Sequence, residues 1–341
     1  MCGRFVSSAP VWELAEYLDV ADSDISYLTS DGSDPAATLD GSATESATGA
    51  GDSSAASPVS AAGAGSAAGV AGGGDADELL VPPSWNVAPT DDVWAVSARR
   101  DDAGDLRRRL RRYRWGLVPS WSKSPTVGAR SFNARAETVM DKPMFRNALE
   151  RRRCIIPAGA FYEWEHDQDE ARSSRRKRAL PWCFRPAEGD LLAFAGLWEF
   201  WREGPRPGPR GSEAEKDRSE RPFLVTCTII TTDANSVVAP IHDRMPVVLA
   251  RDAWKDWLSE GPLDGDLLAD LLLPAPDDSL VAYRVAPLVN DVRLNGPDLV
   301  EPYVEGEADP DDVRSRAADK HGGGPDPNAA ASRLFDPADL G

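Results

Sequence analysis

Cys154-Ile155-Ile156-Pro157-Ala158-Gly159-Ala160-Phe161-Tyr162-Glu163-Trp164 is an apolar run, rich in branched and aromatic side chains, that closes on a carboxylate. Its composition predicts a strand over 154–164. Working outward, the same signals predict strands at 93–98, 191–201, 223–232, 245–249 and 280–289. Helices are expected at 10–20, where Val11, Trp12, Leu14, Ala15 and Leu18 fall at helical spacing, and at 144–152, 253–258 and 263–272. Strands outnumber helices, so the expected fold is α+β with a β-rich core: a mostly antiparallel, barrel-like sheet with peripheral helices. Polar, Pro- and Gly-containing stretches at 168–178 and 203–221 read as hairpin loops.

Composition sets the bounds of that domain. Residues 21–80 are built from Ala, Gly, Ser and Asp with no Lys or Arg, and such a segment buries too little apolar surface to offset its ordering entropy. It reads as a disordered acidic insertion, and 304–341, with Gly322-Gly323-Gly324, reads as a disordered acidic tail. One domain, 2–303, interrupted near its start, remains. The formal charge of −18 would disfavour a nucleic-acid partner. Most of it, however, comes from the two low-complexity segments, and the rest of the chain is near neutral and free to display a basic groove. The acidic, Lys-poor composition points to a halophilic prokaryote with a high-salt cytoplasm.

The four cysteines, Cys2, Cys154, Cys183 and Cys227, form no C-x-x-C pair, and only three histidines are present. No zinc site, other metal site or disulfide framework is expected. No signal peptide and no stretch of 18 apolar residues is visible, so a soluble cytoplasmic protein with no membrane partner is expected.

Met1-Cys2-Gly3-Arg4 carries the most distinctive chemistry. Trimming of Met1 would leave Cys2 with an amine and a thiol on adjacent carbons, a 1,2-aminothiol able to condense with an aldehyde into a thiazolidine ring. Both groups are usable near neutrality, with ordinary pKa values of about 7.7–8.0 and 8.5. The plain alternative is an incidental Cys behind an initiator Met. Glu163, among aromatic residues, is a candidate proton donor and acceptor with a raised pKa; otherwise it is a strand-end Glu facing water. His242, in a loop before an apolar strand, suits acid–base work or a structural bond to a carbonyl. Asn133 and Arg135 alternate along an extended segment and would share a face. Arg4, Arg135 and Arg244 are candidate phosphate ligands or solvated charges. Trp121 could stack on an unpaired base, whereas Trp115 reads as core. The run 107–112 reads as a solvated hairpin rather than a phosphate-contacting edge. Trp85-Asn86-Val87-Ala88-Pro89-Thr90 reads as a turn.

Together, Cys2-Gly3-Arg4-Phe5, Asn86-Val87-Ala88-Pro89, Trp115-Gly116-Leu117 with Pro119 and Trp121, Asn133-Ala134-Arg135 with Glu137-Thr138, Phe161-Tyr162-Glu163-Trp164, and Ile241-His242 with Arg244-Met245-Pro246 resemble the SOS response-associated peptidase (SRAP) family. Members of that family shield abasic sites in single-stranded DNA by covalent cross-linking, as part of the DNA damage response. The resemblance implies a Cys2 thiazolidine with the open-chain sugar. It implies that Asn133 orients the sugar, Glu163 moves protons at the Cys2 amine and the ring oxygen, and His242 helps open the ring. Arg4, Arg135 and Arg244 would hold phosphates and Trp121 would stack beside the lesion. The implied partner is single-stranded DNA with abasic sites, with single-strand/double-strand junctions as an extension. The implied protein is a nucleoid-associated monomer without a cofactor. The insertion and the tail depart from a compact family member. Other readings of Cys2 are an N-terminal-nucleophile amidohydrolase, a thiol peptidase, or a module that only binds modified bases.

Overall fold

The computed structural model describes residues 2–21, 81–101, 103–165, 180–203 and 223–303. The expected insertion, tail and two hairpin loops lie outside the described residues, apart from Ala21 and Glu203 at their edges. In chain order the elements are β1 (Arg4–Ser7), α1 (Val11–Tyr17), β2 (Ser84–Val87), β3 (Asp92–Arg100), β4 (Leu106–Trp115), β5 (Asn133–Arg135), α2 (Arg146–Arg151), β6 (Arg153–Ala158), β7 (Ala160–Glu165), β8 (Leu180–Pro186), β9 (Leu192–Arg202), β10 (Phe223–Asp233), β11 (Arg244–Pro246) and β12 (Leu280–Arg284). Short helices at Trp254–Trp257 and Gly265–Leu271 lie between β11 and β12.

The apolar run 154–164 is two strands, not one. β6 pairs with β9 as far as Ala158↔Leu192, whereas β7 pairs with β1 from Ala160↔Val6. Gly159 is the crossing point, and its N–H leaves the first ladder to donate to the Val6 carbonyl at 2.9 Å. The run therefore links two sheets. One has the order β12-β8-β7-β1-β2. In the other, β10-β4-β3-β6-β9 closes on itself through the β9–β10 pairing, giving a five-stranded barrel to which β5 and β11 attach along β10. Pairing is antiparallel except where β10 meets β4 and β5. The β-rich, barrel-like α+β expectation is met.

One core joins the two sheets. Phe5 of β1 and Phe161 of β7 point at the barrel, Phe5 meeting Trp115 edge-on at 5.0 Å and Phe161 stacking on Phe184 at 4.8 Å. Alternation then sends Val6, Ala160 and Tyr162 into a second cluster on the far face with Val285 and Val289. The arginine run at 107–112 lies within β4, the second arm of the antiparallel β3–β4 hairpin, with Arg107 and Arg112 exposed. Other local expectations are corrected. Residues 84–87 form β2 rather than a turn, and the expected strand 280–289 ends at Arg284 because Pro287 opens a 3₁₀ turn, Pro287–Asn290. β1 and β8 carried no legible signal. Among the described residues, no helix is long and apolar enough to cross a membrane.

Candidate active site at the amino terminus

Cys2 directly precedes β1, whose antiparallel register with β7 pairs Arg4 with Tyr162. One more step of that register sets Gly3 opposite Glu163, so the chain's beginning lies beside the carboxylate. Cys2 is fully buried. Its carbonyl accepts a 2.8 Å hydrogen bond from Asn133 Nδ2, which leaves Asn133 Oδ1 buried without a hydrogen-bond partner. Asn133 is held in place by β5, which lies parallel to β10 with Asn133 opposite Ile229. The intervening Ala134 is buried and Arg135 is exposed, so Asn133 and Arg135 share the face away from the core.

Glu163 shares the barrel-facing side of β7 with Phe161 and is 2 % exposed. Burial, the largest influence, raises its pKa to about 7, while the chain's amino-terminal charge pulls it down and Asp243 pushes it up. The water-facing alternative is thus not the one adopted. His242 Nε2 lies 3.9 Å from Glu163 Oε2. His242 Nδ1 lies near two groups, receiving the Arg244 backbone N–H at 2.9 Å and approaching the exposed Asp243 carboxylate at 3.0 Å. These make opposite demands on Nδ1. The backbone N–H can only donate, so the neutral imidazole keeps its proton on Nε2, toward Glu163. The Cys2 thiol is pushed up by burial first and by Glu163 second, so it rests as the neutral S–H.

The expected cationic residues divide. Arg135 is exposed. Half-buried Arg4 donates from one nitrogen to Asn86 Oδ1 (2.9 Å) and the Val289 carbonyl (2.8 Å), with its guanidinium 5.8 Å from the Trp164 ring. Arg244 grips both oxygens of Glu137 (2.6 and 3.0 Å), Asp233 Oδ1 (2.6 Å) and the Thr231 carbonyl (2.7 Å). Trp121 is 51 % exposed, whereas Trp115 is wholly buried and donates to the Phe132 carbonyl. Sequence reasoning left two participants unassigned. Asn86 is a buried hub whose Nδ2 reaches the Asp291 and Leu294 carbonyls, each at 3.0 Å. Glu137 binds Arg244, and its place four residues after Asn133 in a quoted segment was its only signal.

A closed β-barrel flanked by a second sheet thus brings together a buried Cys2, Asn133, Glu163 and His242. The model of the SOS response associated peptidase (SRAP) family matches residues 1–292. The chain belongs to that family. It is 39 % identical over 221 residues, 65 % of this chain and 87 % of the relative, to the abasic site processing protein YoqW of Bacillus subtilis. It is 30 % identical over 264 residues, 70 % of this chain and 71 % of the relative, to the abasic site processing protein HMCES of Gallus gallus. A crystal structure of a Bacteroides thetaiotaomicron protein shares the fold, with a TM-score of 0.52 at 24 % identity over 66 % of this chain and 88 % of that one.

Proposed function

We propose that this protein processes abasic DNA, and that it does so by capturing the open-chain sugar aldehyde of a single-stranded site as a thiazolidine on Cys2. The handling of abasic DNA follows from the names of its relatives. The covalent route rests chiefly on one observation, the buried carboxylate of Glu163 set beside Cys2, where burial raises its pKa.

Removal of Met1 comes first, because the amide nitrogen of an internal residue cannot form an imine. The freed amine adds to the aldehyde carbon. Loss of water gives the imine, and the thiol then adds to that carbon while its proton passes to the nitrogen. One water leaves overall, with no oxidant or reductant. A group with a pKa of about 7 is populated in both forms at neutral pH, so Glu163 can take a proton from the amine and return it to the departing hydroxyl. Asn133 Oδ1 is available to hold a sugar hydroxyl, and His242 Nε2–H to protonate the ring oxygen as the sugar opens. Holding the lesion against Cys2 removes a bimolecular entropy cost of several kcal/mol.

Exposed Arg135 is the direct phosphate ligand, half-buried Arg4 adds positive potential, and Trp121 stacks beside the lesion, whereas Arg244 is already neutralised by Glu137 and Asp233. A resting neutral thiol suits a route in which the amine reacts first. It disfavours a thiol peptidase, which needs the thiolate that burial and Glu163 oppose. A high-salt working environment and a monomeric state are expectations from composition and family resemblance alone.

The test is incubation with a uracil-containing single strand pretreated with uracil glycosylase. Wild-type protein should form a heat-stable adduct, and Cys2→Ala should bind the strand without forming one. An adduct that survives Cys2→Ala, or peptidase or glutaminase activity with no adduct, would reject the thiazolidine route.

A further inference from the structure

Arg244 lies at the first residue of β11, on one side of β10, and its guanidinium reaches to the other side. It donates to the Thr231 carbonyl of β10 and ends in a two-pronged contact with Glu137, just past β5. Thr231 is itself paired with Pro246 of β11 and with Arg135 of β5. One side chain thus staples three strands. Two of the attached segments carry reacting groups: β5 holds Asn133, and the loop before β11 holds His242. The same residue's backbone N–H is the donor that fixes the His242 tautomer. Arg244 is only 9 % exposed, and it makes four contacts at 3.0 Å or less, all to protein oxygens.

We propose that Glu137 and Arg244 are a positioning pair: the Glu137 fork holds Arg244, and through it keeps His242 and Asn133 in mutual register for the cross-linking step. This deepens the reading above and rests on it only for the kinetic part of the test. A planar guanidinium can satisfy the fork and the Thr231 carbonyl together, which a lysine ammonium cannot. A phosphate contact, in contrast, tolerates lysine as a point charge. The two roles of Arg244 therefore separate under one conservative substitution.

The variants are Glu137→Gln, Arg244→Lys and the double. With abasic single-stranded oligonucleotide, each single should lower the first-order rate of adduct formation at saturating DNA by about tenfold or more. The half-saturating DNA concentration should stay within about twofold, and the double should be no slower than about twofold beyond the worse single. A phosphate role predicts the reverse: Arg244→Lys near the wild-type rate, with any defect in the half-saturating concentration and in the salt slope. That pattern overturns the proposal. A second readout needs no DNA. The chain has three histidines, so nitrogen-15 imidazole spectra can follow His242 alone. Wild type should show a single Nε2–H tautomer, and both singles a mixture. Unchanged His242 spectra in both variants would overturn the proposal whether or not the wild-type protein cross-links. If Arg244→Lys does not fold, Glu137→Gln, at a 47 % exposed side chain, still decides by both readouts.

Discussion

Glu163 occupies a position where the alternation of β7 would ordinarily place hydrocarbon, and its stability linkage follows from that placement. Its folded pKa is raised from 4.5 to about 7 because burial penalises the charged form. A raised folded pKa means the native state binds more protons than the unfolded one between those values. The favourable balance is fully present below about 4.5 and is lost as pH rises through about 7. Replacing Glu163 by Gln removes the buried charge, so this variant should gain stability relative to wild type across that window, by up to about 3 kcal/mol at pH 8. Denaturant melts at pH 4.5, 6 and 8 measure it, and a difference that does not change with pH would contradict the burial account. Glu163→Gln should also slow adduct formation about 100-fold or more at neutral pH, since a positioned acid–base group contributes about that much. Glu163 was legible in sequence because its aromatic neighbours announce desolvation. Glu137 was not, because its partner lies 107 residues away and nothing local announces an ion pair.

At the scale of elements, the segment after β4 depends on a close approach of two backbones. Gly116 has φ of 131°, and a Cβ there would lie 2.5 Å from the Gly128 carbonyl oxygen. Neither backbone can yield cheaply, so Gly116→Ala should cost about 2 kcal/mol or more, read as a lowered unfolding midpoint at unchanged m-value. A neutral substitution would mean the approach relaxes. This segment precedes Phe132 and Asn133, and the Gly116–Leu117 backbone bonds to Cys227 and Ser131, so the strain would reach the site. Gly116 stood in a quoted segment, but only the fold reveals its contact with Gly128. The division of 154–164 was hidden for a similar reason. Both halves are equally apolar, and the break is set by which strand each half pairs with, not by a turn residue that forces it. The arginine run of β4 shows the opposite failure, since charge density masked a strand in which Tyr113 and Trp115 alternate into the core and Leu110 is buried on the other face.

Across the whole molecule, barrel closure joins β10 to β9 by a hairpin-like pairing and to β4 by a parallel one across more than a hundred residues. Periodicity identifies strands but does not rank their partners, so barrel-like was readable and the strand order was not. The candidates singled out in the sequence, Cys2, Asn133, Glu163 and His242, lie together although they come from four distant segments. Reversible binding to intact single strands should weaken steeply with added salt, with a log–log slope of about −0.7 for each phosphate contacted. Adduct already formed should persist through the same salt range, as filter binding and denaturing gels run side by side would show; salt-labile adduct would mean that no covalent bond had formed. The most direct test of the central claim is mass spectrometry of the peptides released from the adduct with an abasic oligonucleotide. The predicted product is a terminal peptide that begins at Cys2 and carries the sugar fragment less one water. A cross-link mapped to any other residue, or to a terminal peptide that still retains Met1, would contradict the account.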